Sequence, residues 1–201
     1  AKDVIDWQNT IRKLKNKAGK PISPTYLKTI HGQLSAIFNH AMKFYDLAAN
    51  PAQKAGTMGA EESKEMEFWT KEEYLKFSEA MMDKPLSYYA FELLYWCGVR
   101  EGELLALSPS DFNFEKRTLR INKSYQRLEG EDVISTPKTK NSNRIVKMPQ
   151  FLCDEMQDFF KQYYSLQPDD RIFPVTKYYL SHEMDRGCKE SGVKRIRVHD
   201  L

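Results

Sequence analysis

The sequence predicts a mainly α-helical α+β protein with a small three-stranded antiparallel sheet, arranged as a helical module followed by a mixed domain. Long stretches with apolar side chains at three- and four-residue spacing predict helices, and one short region with a period of two predicts strands. A chain of 201 residues with 41% hydrophobic and 29% charged residues is typical of one large or two small globular domains. A glycine- and glutamate-rich interruption of the helical pattern favours two domains.

Residues 1–52 are expected to form part of a helical domain. Apolar side chains on one face predict a first helix over residues 4–15 and a second over 23–47. The second helix starts with Ser23 as its N-cap and Pro24 at its first helical position. Two helices rarely bury a stable core alone, so the apolar stripe of the second helix needs further helices or another domain to cover it.

The segment 53–67 is expected to be a linker between the two domains. Asn50 and Pro51 are expected to end the long helix, because a residue before proline disfavours the helical conformation. Turn-forming glycines and a run of glutamates follow. The segment stops sharply at Thr70 and Glu73, which have the spacing of a capping box at the start of a new helix.

Residues 68–201 are expected to form the mixed domain. Its predicted helices cover residues 70–83, 85–97, 101–107, 149–164 and 177–191. Alternating apolar side chains at 118–122, 133–134 and 145–146 predict the three strands of the antiparallel sheet. The last two strands enclose a polar turn, so they are expected to form a hairpin.

Charge is distributed unevenly along the chain. The formal net charge is +3, but residues 1–60 contain 9 Lys and Arg against 3 Asp and Glu, whereas residues 61–100 contain 5 against 9. The basic first part favours an anionic partner such as nucleic acid.

Several classes of protein are disfavoured by the composition. No apolar run approaches the roughly 18 residues of a membrane span, and no secretory signal is evident. The three cysteines, Cys97, Cys153 and Cys188, fit neither a disulfide framework nor a zinc site, so we expect reduced thiols in a cytoplasmic protein. No cluster has metal-ligand spacing, and no metal is expected.

The stretch CGVREGELLALSPSDF, residues 97–112, contains a candidate anion-binding residue. Arg100 follows a glycine turn and begins a helix, so its guanidinium and the helix N-terminus together could bind an oxyanion or phosphate. The alternative is a surface ion pair between Arg100 and Glu101 or Glu103.

Two later stretches contain further candidates. TPKTKNSNRIVKMP, residues 136–149, is either a basic hairpin that lies against a phosphate backbone or a solvated turn. RIRVHDL, residues 195–201, ends with His199, which is either structural or part of a site. Asp200 and Asp111 are expected to brace the local backbone.

Taken together, these stretches resemble the tyrosine recombinases, also called the phage integrase family. The resemblance depends on GVREGELLAL followed by SDFNFEKRTLRI, on TPKTKNSNRIVKMP and on VHDL, in the family's order. It covers nearly the whole chain, because ISPTYLKTIHGQLSAIFNHAMKFYDLAANPA resembles the end of the family's core-binding domain. The resemblance implies a DNA-clamping helical domain followed by a catalytic domain.

The resemblance also implies roles for individual residues. Arg100 corresponds to the first catalytic arginine, Lys138 to the hairpin lysine with Lys140 as its rival, and His199 to the first position of a His-x-Leu-Arg box. The arginine of that box is expected directly after Leu201, and the tyrosine nucleophile further on, since none of the 11 tyrosines follows His199. The chain is therefore expected to be a truncated catalytic domain that is inactive alone.

The implied function is site-specific cleavage and rejoining of DNA through a 3′-phosphotyrosyl intermediate, without a cofactor. The implied partners are double-stranded attachment sites and, for a full-length parent, a homotetramer on DNA. The residues expected to contact DNA are Lys13, Lys15, Lys17, Lys20, Lys28, Lys140 and Arg144. Two alternatives are a non-catalytic DNA-binding protein on the same scaffold and an unrelated helical module whose basic hairpin arose by chance.

Overall fold

The computed structural model describes residues 1–60, 65–136, 143–163 and 165–201. The chain divides into two compact units, Ala1–Glu65 and Met66–Leu201, each of which buries apolar side chains of its own. Within the described ranges, no helix is both long enough and apolar enough to cross a membrane.

The first unit contains three helices, α1 (Lys2–Arg12), α2 (Pro24–Phe44) and α3 (Pro51–Ala55). The predicted start of the long helix is confirmed, because Ser23 Oγ accepts a hydrogen bond from the backbone N–H of Tyr26 and Pro24 is the first helical residue. Within this unit, part of the apolar stripe of α2 stays exposed: Ile37 is 64% and Phe44 is 60% exposed.

Asn50 begins a helix that the sequence pattern did not predict. Its Oδ1 accepts hydrogen bonds from the N–H groups of Ala52 and Gln53 at 2.9 and 3.3 Å. Its Nδ2 donates to Oδ1 of Asn39 on α2 at 2.8 Å. The buried amide therefore caps α3 and connects it to α2, instead of only ending α2.

The prediction of a linker over 53–67 is wrong in its first half. Met58 is fully buried, and Gln8 on α1 donates a hydrogen bond to the carbonyl of Gly56 at 2.8 Å. Gly59 has a φ of 81° and lies so close to the first turn of α2 that a Cβ would collide with the backbone there. Gly59 thus allows close packing against α2, and the carbonyl of Gly56 holds the stretch to α1.

The second unit contains five helices: α4 (Lys71–Met81), α5 (Pro85–Cys97), α6 (Glu101–Leu104), α7 (Gln150–Lys161) and α8 (Lys177–Ser191). The capping box is confirmed, with Thr70 N donating to Glu73 Oε2 at 2.8 Å and Glu73 N to Thr70 Oγ1 at 3.3 Å. The core lies where α4 packs against α5 and α8, for example where Phe77 and Phe91 meet edge to face at 5.0 Å. Helix α6 is shorter than expected.

The strands are β1 (Phe112–Asn113), β2 (Thr118–Ile121), β3 (Ser124–Leu128), β4 (Glu131–Ser135) and β5 (Arg144–Lys147). A three-stranded antiparallel sheet is confirmed, with the order β1-β2-β5 and Leu119 paired with Val146. Its predicted membership is wrong, because β4 pairs with β3 in a separate hairpin. Glu129 and Gly130, with φ of 51° and 90°, form a tight turn that joins β3 directly to β4.

The end of the chain is packed against the core through Val198 and Leu201. Val198 is 5% exposed in a 3-10 turn, and Leu201 packs against the core. Arg197 donates to both carboxylate oxygens of Asp200, at 2.6 and 2.9 Å. Apolar burial and this ion pair therefore hold the last residues in place.

Candidate active site and nucleic-acid interface

Arg100 lies at the surface of the turn between α5 and α6. Gly98 ends α5 in the left-handed conformation, with φ 58° and ψ 35°, which glycine adopts without strain. Val99 is buried, and Arg100 follows with 63% of its side chain exposed. The expected contribution from a helix N-terminus is not supported, because α6 has only 4 residues; the exposed guanidinium is the group that stays a candidate for anion binding.

Glu103 holds two arginines with one buried carboxylate, which is 6% exposed. It accepts hydrogen bonds from Arg100 N at 2.9 Å and Arg100 Nη1 at 3.1 Å. Arg144 on β5 donates Nη1 and Nη2 to the two carboxylate oxygens at 2.9 and 2.8 Å. Burial alone would raise the pKa of Glu103, but the hydrogen bonds from Arg144 and Arg100 outweigh it and lower the pKa below its ordinary value of 4.5.

The two alternatives for Arg100, an ion pair with a glutamate and an accessible guanidinium, are present together. The ion pair with Glu103 is present, but its carboxylate is buried and the guanidinium of Arg100 is still mostly exposed. The sequence analysis did not single out Glu103 as part of a site. Its position three residues after Arg100, on one face of a helical turn, was the available signal.

Arg144 has partners other than the DNA phosphate that the sequence suggested. Its side chain is 30% exposed and binds Glu103 in a bidentate geometry. The hydrogen bonds to Glu103 raise the pKa of Arg144, and this effect is larger than that of burial, which alone would lower the pKa. A direct contact between Arg144 and DNA stays a prediction, and the observed contact positions it beside Arg100.

Gly102 seats this turn on the β3–β4 hairpin. A Cβ at Gly102 would lie 2.7 Å from Oγ of Ser124 and 3.0 Å from the carbonyl oxygen of Tyr125, both on β3. It would also lie 3.8 Å from Cε of Lys177, the first residue of α8. The turn that holds Arg100 is therefore pressed against β3 and the start of α8.

A groove of about 570 Å³ lies between β3 and the start of α8. Arg127 and Lys177 supply positive charge to its walls, and Tyr178 supplies an aromatic ring. Tyr178 is 74% exposed. Basic and aromatic side chains together suit a nucleic acid. The groove was not predicted, because its β3 wall was not predicted.

His199 lies in the 3-10 turn at the end of the chain and is exposed. Among the described residues, no hydrogen bond or ion pair connects it to Arg100. Asp200 accepts from Arg197, whose hydrogen bonds lower the pKa of Asp200. Asp111 is buried, 2.8 Å from Nζ of Lys123, and accepts from Ser108 N at 3.0 Å. Both aspartates thus brace local structure, as predicted.

Lys138 and Lys140, the two candidates for the hairpin lysine, lie outside the described residues. The strands on either side of their segment belong to different sheets, β4 to the hairpin with β3 and β5 to the sheet with β2. The predicted hairpin between these two strands is therefore wrong.

The connection between α1 and α2, residues 13–22, forms an ordered basic loop. Asn16 Oδ1 accepts hydrogen bonds from the N–H groups of Ala18 and Lys20 at 2.9 and 3.0 Å, and Lys15 pairs with Pro21 in a β-bridge. Four exposed lysines of this loop form no ion pair with any described residue: Lys13, Lys15, Lys17 and Lys20. Lys28, on the second turn of α2, is exposed as well.

In the part of the chain that the structure describes, no group of three or more His, Cys, Asp or Glu side chains could hold a metal ion. The three cysteines are buried and unbonded, and burial raises the pKa of the Cys97 thiol to about 12.

Comparison with known proteins gives a consistent result. The family model described as "Phage integrase family" matches residues 67–201. The chain is 29% identical over 194 residues to the ICEBs1 integrase of Bacillus subtilis (strain 168), covering 90% of this chain and 52% of that protein. It is 32% identical over 151 residues to a tyrosine recombinase XerC-like protein of Caldanaerobacter subterraneus subsp. tengcongensis, covering 66% and 37%.

Solved structures agree at the level of the fold. The Tn1549 transposon integrase in complex with a circular intermediate DNA has a TM-score of 0.77 at 19% identity, over 99% of this chain and 69% of that one. A lambda integrase dimer bound to a COC′ core site has a TM-score of 0.58 at 17% identity, over 98% and 61%. The chain spans about half the length, or less, of the two curated relatives above.

Proposed function

Because this chain belongs to the phage integrase family, we propose that it is the core-binding and catalytic part of a site-specific DNA recombinase. The proposed reaction is cleavage of one DNA strand by a tyrosine, which forms a 3′-phosphotyrosyl bond and releases a 5′-hydroxyl. A second 5′-hydroxyl then attacks that bond and rejoins the strand. The covalent bond conserves the energy of the phosphodiester, so the reaction requires no nucleotide cofactor.

The observation that carries the proposal is the exposed guanidinium of Arg100, held from behind by the buried carboxylate of Glu103. In the transition state, charge builds up on the non-bridging oxygens of the phosphate, and a fixed cationic donor stabilises it. Arg144 shares the same carboxylate and limits the movement of Arg100. A donor that is already held in position loses little conformational freedom when the transition state forms.

The remaining site residues are assigned by the family resemblance. Lys138, with Lys140 as its rival, would donate a proton to the leaving 5′-oxygen as a general acid. His199 would hydrogen-bond a non-bridging oxygen. The tyrosine nucleophile and the second arginine would come from residues that follow Leu201 in a longer parent protein, so this chain alone would not cleave DNA.

DNA would lie against both units, and the working assembly would be a homotetramer on paired sites. Support for a DNA partner comes from the unpaired lysines of the basic loop and from the basic and aromatic groove between β3 and α8. The Tn1549 and lambda integrase structures also contain DNA. Contacts of lysine and arginine with phosphates predict affinity that falls steeply as salt concentration rises.

The test uses the longer parent and a nicked DNA substrate that traps the covalent protein–DNA adduct, which is then quantified on a denaturing gel. Arg100→Ala should lower adduct formation at least about 100-fold and leave DNA binding nearly unchanged. Lys161→Ala, which removes the same charge from an exposed position on α7, is the control. DNA binding by the parent without any adduct would favour the non-catalytic alternative, and normal cleavage by Arg100→Ala would refute the assignment.

A further inference from the structure

A second groove lies on the second unit, among α4, α5 and α7, and has a volume of about 590 Å³. It is lined by Lys71, Leu75, Ser78, Glu79, Met82, Tyr88, Glu92, Trp96, Phe151 and Glu155. It shares no residue with the groove between β3 and α8 or with the Arg100 turn. Nothing in the proposed recombination chemistry uses it.

The rim of this groove is apolar and exposed. Leu75 of α4 is 49% exposed, Met82 directly after α4 is 61% exposed, and Phe151 of α7 is 42% exposed. Phe151 packs edge to face against Trp96 of α5 with ring centroids 5.3 Å apart. Large apolar side chains grouped at the surface mark places where another molecule covers them.

The floor of the groove is acidic and unusually well buried. Glu92 is 3% exposed and accepts hydrogen bonds from Tyr74 and Ser78, both at 2.6 Å and both on its Oε1. No described residue donates a hydrogen bond to its Oε2. An ionised carboxylate oxygen accepts hydrogen bonds, so Oε2 can accept one from a donor that enters the groove.

The other charges give the groove a negative character. Glu79 and Glu155 line it together with Glu92, and only Lys71 opposes them. Burial, followed by the charge of Glu92, raises the pKa of Glu155, as expected for carboxyl groups that lack a cationic partner. A negative groove repels DNA phosphates and attracts a basic side chain, which distinguishes this surface from the nucleic-acid interface.

We propose that this groove binds an amphipathic helix of another protein, which inserts a lysine or arginine towards Glu92 and Glu155 and packs apolar side chains on Leu75, Met82 and Phe151. A helix presents side chains at positions i, i+3, i+4 and i+7 on one face, so it can place a basic residue between apolar anchors. The groove has the complementary arrangement, with apolar side chains at its rim and a buried carboxylate at its floor.

The test is a titration of the isotopically labelled 201-residue chain, followed by NMR. The probe is a leucine–lysine amphipathic helix of about 14 residues, or four turns, and its partner control is the corresponding leucine–glutamate helix. The cationic helix should bind saturably and shift the signals of groove residues, including the indole N–H of Trp96. The anionic helix should not bind.

Two variants locate the binding site without disturbing the core. Glu79→Gln combined with Glu155→Gln, and separately Phe151→Ala, should each weaken binding at least about fivefold. Glu115→Gln, which removes an exposed carboxylate outside the groove, is the matched control and should bind as the parent does.

Several results would overturn the assignment. The assignment is wrong if the cationic helix does not bind, or if the anionic helix binds equally well. It is also wrong if all variants bind the cationic helix with equal affinity, or if the shifted signals belong to residues outside the groove. If the groove variants instead dissociate a self-associated form of the chain, the occupant is a second copy and the proposed partner is wrong. DNA binding measured on the same variants should be unchanged, so failure here stays distinct from failure of the recombinase assignment.

Discussion

Replacement of Glu103 by glutamine should loosen the arginine pair at the candidate site and lower the stability of the second unit. The carboxylate accepts four hydrogen bonds, two from Arg100 and two from Arg144. Glutamine keeps one oxygen acceptor and turns an NH2 group towards guanidinium donors, so about half of these hydrogen bonds are lost.

The size of the effect follows from burial. Removing one partner of a buried ion pair costs about 3–5 kcal/mol, and a hydrogen bond to a charged group contributes about 1.5–3 kcal/mol. Solvent compensates part of this, because the side chain of Arg100 is 63% exposed and that of Arg144 is 30% exposed. We therefore expect Glu103→Gln to lower the free energy of unfolding by about 2 kcal/mol.

The pH dependence has a definite sign. The pKa of Glu103 is lowered in the folded state, so its contribution is complete above the unfolded-state pKa, near 4.5, and is lost as pH falls through the lower folded-state pKa. The difference in stability between the parent chain and Glu103→Gln should therefore be largest near neutral pH. It should shrink below pH 4.5.

Urea unfolding followed by tryptophan fluorescence measures this difference. A Trp7→Phe background removes the tryptophan of the first unit, so the signal comes from Trp69 and Trp96 in the second. Glu101→Gln is the control, and should change stability by less than about 0.5 kcal/mol. A Glu103→Gln variant as stable as this control, or a loss that does not depend on pH, would refute the role given to the carboxylate.

Three other predictions test separate parts of the structure. Gly102→Ala should destabilise the second unit by about 1–3 kcal/mol in urea, because its Cβ meets β3, whereas Gly32→Ala, in open space on α2, should not; equal effects would contradict the close packing. Changing the four basic-loop lysines to glutamine should make DNA binding less dependent on salt: the slope of log K against log salt concentration should become shallower by up to about 3.6. An unchanged slope would show that DNA does not contact this loop. In the longer parent, Lys138→Ala should slow cleavage, and a 5′-phosphorothiolate substrate, whose leaving group needs no proton, should restore it; restoration with Lys140→Ala instead would identify the other lysine.

Local signals were sufficient for several elements of this protein. Ser23 with Pro24, and Thr70 with Glu73, start helices where the sequence predicts them, because a cap is satisfied by residues within one turn. The ranges 85–97 and 177–191 are helical as predicted, since each is followed by a glycine in the left-handed conformation.

Other elements depended on partners that are distant along the chain. The sequence of residues 133–146 does not indicate that β4 pairs with β3 and β5 with β2. The pairing of two strands depends on the side chains of both, and the partner strands lie elsewhere in the chain. The packing of Met58 and Val198 also depended on apolar surfaces contributed by other elements.

The candidate site shows the same division. The sequence by itself determined that an arginine follows a glycine turn, that a basic segment comes later and that a histidine follows that segment, because these are matters of residue type and order. Only the tertiary structure decided that Arg144, 41 residues beyond Glu103 along the chain, joins Arg100 on that carboxylate. A buried carboxylate must be paired, and which cations pair with it depends on the packing of α6 against the sheet and hairpin.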